Sequence, residues 1–249
     1  MKKALMHIAG ALALVSAASV ASANLVSNGS FESFVGTLRS DGGLRVDPLS
    51  PAIAGWSVVG PGNIALGSTP NSYNAYTPFG ITAADLTGYG SESAFNRATL
   101  SQTIAGLMIG QEYQLSFWLG LIDGRCGDGG NGNCDGPNGA TVSIAGASTQ
   151  SSTFSVSVGS AQPGRLSDSL PALVGAGTLA TRIWDPFTYT FTADASTIQL
   201  GFQATQSTAN NAFLGLDNVA LTTVVPLPAA GWLLLSGFGL LTWLQRRRG

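Results

Sequence analysis

The chain has 249 residues, of which only 10% are charged, and a formal net charge of −2. Residues 24–224 hold all 13 acidic residues and six of the arginines, which leaves that stretch near −7 and excludes nucleic acid as a partner, since phosphates require basic surfaces. The single histidine is His7, so nothing after it can build a Ser-His-Asp or Cys-His catalytic site or an imidazole-bound zinc, and no P-loop or strand-following G-x-G-x-x-G occurs among the 33 glycines.

In chain order, Met1-Lys2-Lys3 is a basic start, Ile8 to Val20 is apolar, and Ala21-Ser22-Ala23 places small residues at −3 and −1 of a cleavage site. This predicts a signal peptide over 1–23, with export of the chain from Asn24 onward. Segments of period two then follow, bounded by turn residues: 100–104, 112–119, 141–144, 153–158, 187–191, 197–202 and 216–224. Many short strands without an amphipathic helix predict one all-β sandwich over 24–224. The tracts 36–55 and 159–181 read as loops.

The alternation puts Tyr113, Leu115, Phe117 and Leu119 on one face and Gln114, Ser116 and Trp118 on the other. Likewise Phe187, Tyr189, Phe191, Ile198, Leu200 and Phe202 oppose Thr188, Thr190, Gln199 and Gln203. The expectation is that one sheet shows Gln114, Gln199 and Gln203 together with Trp118, a row suited to a glycan: indole faces stack on sugar C–H surfaces and amides bond hydroxyls. In the loop 123–139, Cys126 and Cys134 predict a disulfide in an oxidising compartment. Asn131, Asn133, Asp135 and Gly136 there depart from an EF-hand loop, which begins with Asp and has Glu where Val142 stands.

From Leu227 to Leu244 there are 18 uncharged residues, about 27 Å as a helix and so near the span of a bilayer core. Trp232 and Trp243 lie near its ends, and Arg246, Arg247 and Arg248 follow on the side expected to stay cytoplasmic. This predicts a single C-terminal transmembrane helix. The order of Val225-Pro226-Leu227-Pro228, apolar run and arginine cluster resembles the PEP-CTERM sorting tail, here over 225–249, with Leu227 where that family usually has Glu. The resemblance implies processing by an exosortase-type membrane peptidase, anchoring in the inner membrane facing the periplasm beforehand, and release to the cell surface or an exopolysaccharide matrix.

A second resemblance covers most of 24–224. The opening Asn24-Leu-Val-Ser-Asn-Gly-Ser-Phe-Glu32, the segment Asp85-Leu-Thr-Gly88 and the closing Gly215-Leu-Asp-Asn-Val-Ala-Leu221 are similar to galactose-binding-like jelly rolls, including carbohydrate-binding modules. It implies a jelly-roll fold and a structural calcium held by Glu32 and Asp217, and no organic cofactor is expected. A glycosidase needs only two carboxylates, but the acids here sit mostly in Gly/Asn turns. The expectation is therefore a non-catalytic exported protein that binds exopolysaccharide or another glycan; the alternative is a structural cell-surface protein acting through protein contacts without sugar affinity.

Overall fold

Twelve strands and no helix make up the computed structural model, among the residues it describes: 23–40, 42–50, 52–68, 77–88, 98–121, 138–146, 151–158, 166–170, 180–205 and 214–224. The expected signal peptide, the Cys126–Cys134 loop and the sorting tail with its transmembrane run lie outside them. The strands are β1 (Gly43–Val46), β2 (Ser57–Val59), β3 (Ile64–Ser68), β4 (Thr82–Asp85), β5 (Thr99–Ala105) and β6 (Glu112–Leu121), followed by β7 (Asn138–Gly146), β8 (Ser151–Val158), β9 (Leu166–Leu170), β10 (Ala180–Thr192), β11 (Thr197–Ala204) and β12 (Leu214–Thr223). They form two antiparallel sheets, one of seven strands in the order β1-β3-β4-β12-β6-β10-β9, the other of five in the order β2-β5-β11-β7-β8.

The predicted alternation is what joins the sheets. Tyr113, Leu115, Phe117 and Leu119 of β6 are buried, as are Ile198, Leu200 and Phe202 of β11. Phe117 meets Phe202 edge-on at 5.2 Å between ring centroids, and Phe154 of β8 stacks on Tyr189 of β10 at 4.3 Å. Aromatic contacts of this kind add about 0.5–1.5 kcal/mol beyond the area they bury.

Five strands were not legible from periodicity, among them β2, which is only three residues long. β1 falls within the tract read as a loop at 36–55, and β9 within the one at 159–181, which also contains the first residues of β10. β1 and β9 are the two edges of the seven-stranded sheet, only four and five residues long. Strands so short give alternation too few repeats to show. β3 and β4 lack alternation for another reason: they are buried on both faces, with patterns BBBiB and BBBB, so they read as small apolar runs.

Charge divides between the sheets. None of the five strands β2, β5, β7, β8 and β11 contains Asp, Glu, Lys or Arg, whereas the other sheet carries Arg45, Asp85, Glu112, Asp168, Arg182, Asp185 and Asp217.

Candidate functional site

The N-terminal segment is not a strand, yet each unusual residue in it bonds to the rest of the sandwich. Asn24 Oδ1 accepts from the N–H of Val26 and of Leu221, at 3.0 and 2.9 Å, and Leu25 N–H donates to the Leu221 carbonyl at 2.8 Å. Ser27 is held by its backbone on both sides of one buried amide: Gln102 Oε1 accepts from its N–H and Gln102 Nε2 donates to its carbonyl. Asn28 adopts φ +48°, a conformation Asn tolerates better than most residues. Its side-chain amide donates to the Ser33 and Ala54 carbonyls, and the Trp56 indole N–H donates to its carbonyl. Gly29 carries no Cβ because one would lie 1.9 Å from the Val219 carbonyl oxygen. Phe31 inserts into the core against Trp56, with ring centroids 5.4 Å apart.

This lacing delivers Glu32 beside the last strand. Glu32 Oε1 accepts from the N–H groups of Ile81 and Thr82, at 2.7 and 2.9 Å, and Thr82 Oγ1 donates to the Phe31 carbonyl at 2.8 Å. Gly80 makes room for the carboxylate, since a Cβ there would meet Glu32 Oε1 at 2.1 Å. Asp217 projects from β12 where the register slips between Asp217 and Ala220, and Asn218 takes φ +50°. That bulge lets Leu216 and Val219 both face the core while Asp217 turns to the outside of the sheet. The Asp217 carboxylate is fully buried beneath the 77–82 segment. Its Oδ2 accepts from the Thr77 hydroxyl and its Oδ1 from the Asn218 N–H at 2.6 Å.

Burial pushes the Asp217 carboxyl up from its ordinary 3.8 to about 7. The two hydrogen bonds oppose that rise, and the negative charge of Glu32 adds to it. The structure therefore brings together the two acids anticipated from the opening and closing motifs, and adds Thr77, which no sequence signal marked. The site offers only oxygen donors, the chemistry a hard cation such as calcium takes, and the charge of a cation there would offset the desolvation and the repulsion that raise Asp217. The residues present fit that ion with two carboxylates and the Thr77 hydroxyl. No group of three or more acidic, histidine or cysteine side chains occurs among the described residues, so backbone carbonyls and water would complete a coordination shell.

The four residues expected to share a glycan face do not. Trp118 and Gln114 lie on the outside of the seven-stranded sheet, and Gln199 and Gln203 on the outside of the five-stranded one. Period-two alternation assigns a side chain to a face of its own strand but cannot say which strands share a sheet. Trp118 is half-buried, packed on Phe79 at 4.8 Å in a small outer cluster with Ala83 and Trp184. It stands opposite Asp217 in the register, so its ring holds down the segment that carries Thr77. Gly120 makes space for the neighbouring Trp184, whose ring would lie 2.4 Å from a Cβ. Replacing Trp118 with Ala is expected to lower stability by about 2 kcal/mol, below the range for a fully buried Trp, in a denaturant titration; an unchanged midpoint would show that Phe79 does not depend on it.

On the five-stranded sheet, Gln199 is exposed and faces Thr103 across the β11–β5 ladder, while Gln203 is half-buried with Nε2 donating to Thr99 Oγ1 at 3.2 Å. Thr141 and Ser143 of β7 and Thr153 and Ser155 of β8 extend the same face. On its described strands this outer face carries hydroxyls, amides and the exposed Val59, and no charged residue.

No family model matches the sequence. No curated protein matches it. Solved structures do: the fold is similar to TmCBM61, solved in complex with beta-1,4-galactotriose, at 14% identity and a TM-score of 0.46, covering 82% of this chain and 100% of that one. A cyclase from Fischerella sp. TAU is similar at 19% identity and 0.49, over 82% of this chain and 98% of that one. The CBM22-1 xylan-binding domain from Paenibacillus barcinonensis is similar at 13% identity and 0.35, over 74% and 95%. The likeness is one of all-β architecture.

Proposed function

We propose that this chain is an exported, non-catalytic jelly-roll protein that binds a neutral polysaccharide on the outer face of its five-stranded sheet. A signal peptide directs it out of the cytoplasm, and the 225–249 tail holds it in the inner membrane until an exosortase-type peptidase acts at the Pro box. A calcium ion at Glu32, Asp217 and Thr77 ties the first segment to the last strand. The observation that carries the binding role is the absence of any charged residue from the five strands of that sheet, in a domain whose acids are confined to the other sheet and the loops. An uncharged hydroxyl-and-amide surface can exchange its water for sugar hydroxyls without stranding an ion, which an anionic face cannot do.

The two carboxylates at the clamp do not argue for a glycosidase. Asp217 has the raised pKa of a general acid, but it is buried and bonded to Thr77, which argues against its meeting a sugar oxygen.

The composition of the face also sets the strength of binding. Outward positions on the described strands of the five-stranded sheet carry no aromatic ring, so affinity rests on hydrogen bonds of about 1 kcal/mol net each. Four or five of them correspond to a Kd of about a millimolar for a short oligosaccharide. Affinity should therefore climb with chain length as successive sugars engage the sheet. Isothermal titration of the full chain, held in a detergent without sugar headgroups, tests this against neutral and anionic polysaccharides. Thr103→Arg with Gln199→Arg is expected to weaken binding of the neutral polymer by about tenfold or more, the loss of roughly two hydrogen bonds. Trp118→Ala is expected to leave that affinity unchanged. Absence of saturable binding by folded protein would instead favour a structural surface protein working through protein contacts.

A further inference from the structure

Met108 and Ile109 are the one adjacent pair of strongly exposed large apolar side chains among the described residues, at 63% and 71%. They form the tip of the turn between β5 and β6, and the turn is built rather than loose. Leu107 is buried as a plug, and its N–H donates to the Ser196 carbonyl at 3.1 Å. Met108 N–H donates to the Tyr113 hydroxyl at 2.9 Å, and Gln111 N–H to the Met108 carbonyl at 3.1 Å. Gly106 and Gly110 frame the tip at φ +86° and +83°, with open space on their Cβ sides. The scaffold thus spends its anchoring contacts on holding two apolar side chains outward into solvent.

The position of this tip supplies a reason. β12 ends beside it: Val224 N–H donates to the Glu112 carbonyl at 2.9 Å, and Gln111 Nε2 donates to the Val224 carbonyl at 3.1 Å. Ile109 is two residues from Gln111, about 7 Å of chain, and the apolar run at Leu227 begins three residues after Val224, about 10 Å of chain. Val224, the last described residue before the apolar run in sequence, therefore lies at the same end of the sandwich as the Met108–Ile109 tip. Val59, also exposed, lies at the far end of β5, opposite Thr99, six residues or about 20 Å from Ala105.

We infer that the Met108–Ile109 turn is a second membrane contact, which seats in the headgroup–acyl boundary of the bilayer that holds the tail. This rests on the tail spanning a membrane, as proposed above. Seated in lipid, the apolar tip would turn the β5–β6 end of the sandwich toward the bilayer and Val59 away from it. The acids at this end, Glu112 and Asp194, favour a zwitterionic lipid over an anionic one.

The test places an environment-sensitive fluorescent amino acid at Ile109, or at Val59 as the control, in the full chain reconstituted into phosphatidylcholine vesicles carrying shallow nitroxide lipids. Flotation that resists alkaline extraction reports the tail independently. The expected result is retained flotation, a blue-shifted Ile109 probe and several-fold stronger lipid quenching at 109 than at 59, with the quenching lost when Met108→Asp is added. Flotation with equal, weak quenching at both positions overturns the tip contact while leaving the anchor intact. A blue shift that rises with protein density but escapes lipid quenching assigns the tip to a second copy of the chain, and also overturns it. Loss of flotation itself removes the anchor and this inference together.

Discussion

Stripped of divalent metal by chelator, the protein should lose stability as the pH rises from about 4 to 8, and Asp217→Asn should remove most of that loss. The folded state holds the Asp217 proton up to about pH 7, whereas the unfolded chain releases it near 3.8. Between those values folding takes up a proton, so the stabilisation is complete below 3.8 and is lost as the pH passes through about 7. The gap corresponds to about 4 kcal/mol, or roughly 10 °C in Tm for a unit of this size. Calcium enters as the remedy: bound to the ionised pair at a hundred times its Kd, it would return about 2.7 kcal/mol. Thermal melts at pH 5 and pH 8, each with calcium and with chelator, give the four values needed. Calcium should raise Tm at pH 8, raise it little at pH 5 where a proton occupies the site, and have no effect on Asp217→Asn or Glu32→Gln at either pH. A wild-type Tm indifferent to calcium at pH 8 would remove the metal from the clamp and leave the protonated Asp217–Thr77 pair as its neutral form.

Gly29→Ala should be the most damaging single methyl added to the described fold. The new Cβ would lie 1.9 Å from the Val219 carbonyl oxygen and 2.9 Å from its carbon. Those are backbone atoms in the last strand, one residue beyond Asn218, and Val219 N–H is itself bonded to the Gly29 carbonyl at 2.9 Å. No side chain is available to swing away, so the cost should fall at or above the upper end for overpacking, about 3 kcal/mol, and lower Tm by roughly 6–12 °C. Gly110→Ala is the comparison. Its Cβ would meet nothing within 4 Å, so only the left-handed backbone opposes it, at about 1–2 kcal/mol. Equal losses from the two substitutions would mean that the opening segment does not press on β12 as described. Because Gly29 sits between the residues that place Glu32, its loss should also diminish the calcium response, which separates a displaced clamp from a general loss of packing.

Most of the strands that periodicity predicted have one face in the core and one in solvent; β12, covered on both sides over Leu214–Asp217, is an exception. β6, β10 and β11 alternate because their inward residues must be apolar and their outward ones need not be. β1 and β9 escaped because short edges have few residues to alternate, and β3 and β4 because both their faces are covered. The two acids of the clamp were legible only through the resemblance of the opening and closing motifs, and the structure supplies a physical reason for the residues in them. Asn28, Gly29, Glu32 and Asp217 occupy positions where backbone geometry or a buried bond leaves few alternatives, and such constraints mark a sequence locally. Thr77 left no mark, because a threonine is ordinary in a loop and acquires its role only where the fold lays it on Asp217.

By itself, then, the amino-acid sequence determined the all-β class and the inward set of core side chains. It also carried the composition against histidine chemistry and nucleic acid. Each of these follows from local pattern or from residue type. Tertiary structure alone decided which outward faces belong together, and it parted Trp118 and Gln114 from Gln199 and Gln203. It alone showed that the charge on the described strands lies in one sheet, and that Met108 and Ile109 stand at the same end of the sandwich as Val224. Strand order is set by contacts between residues far apart in the chain, and a period of two carries no information about it.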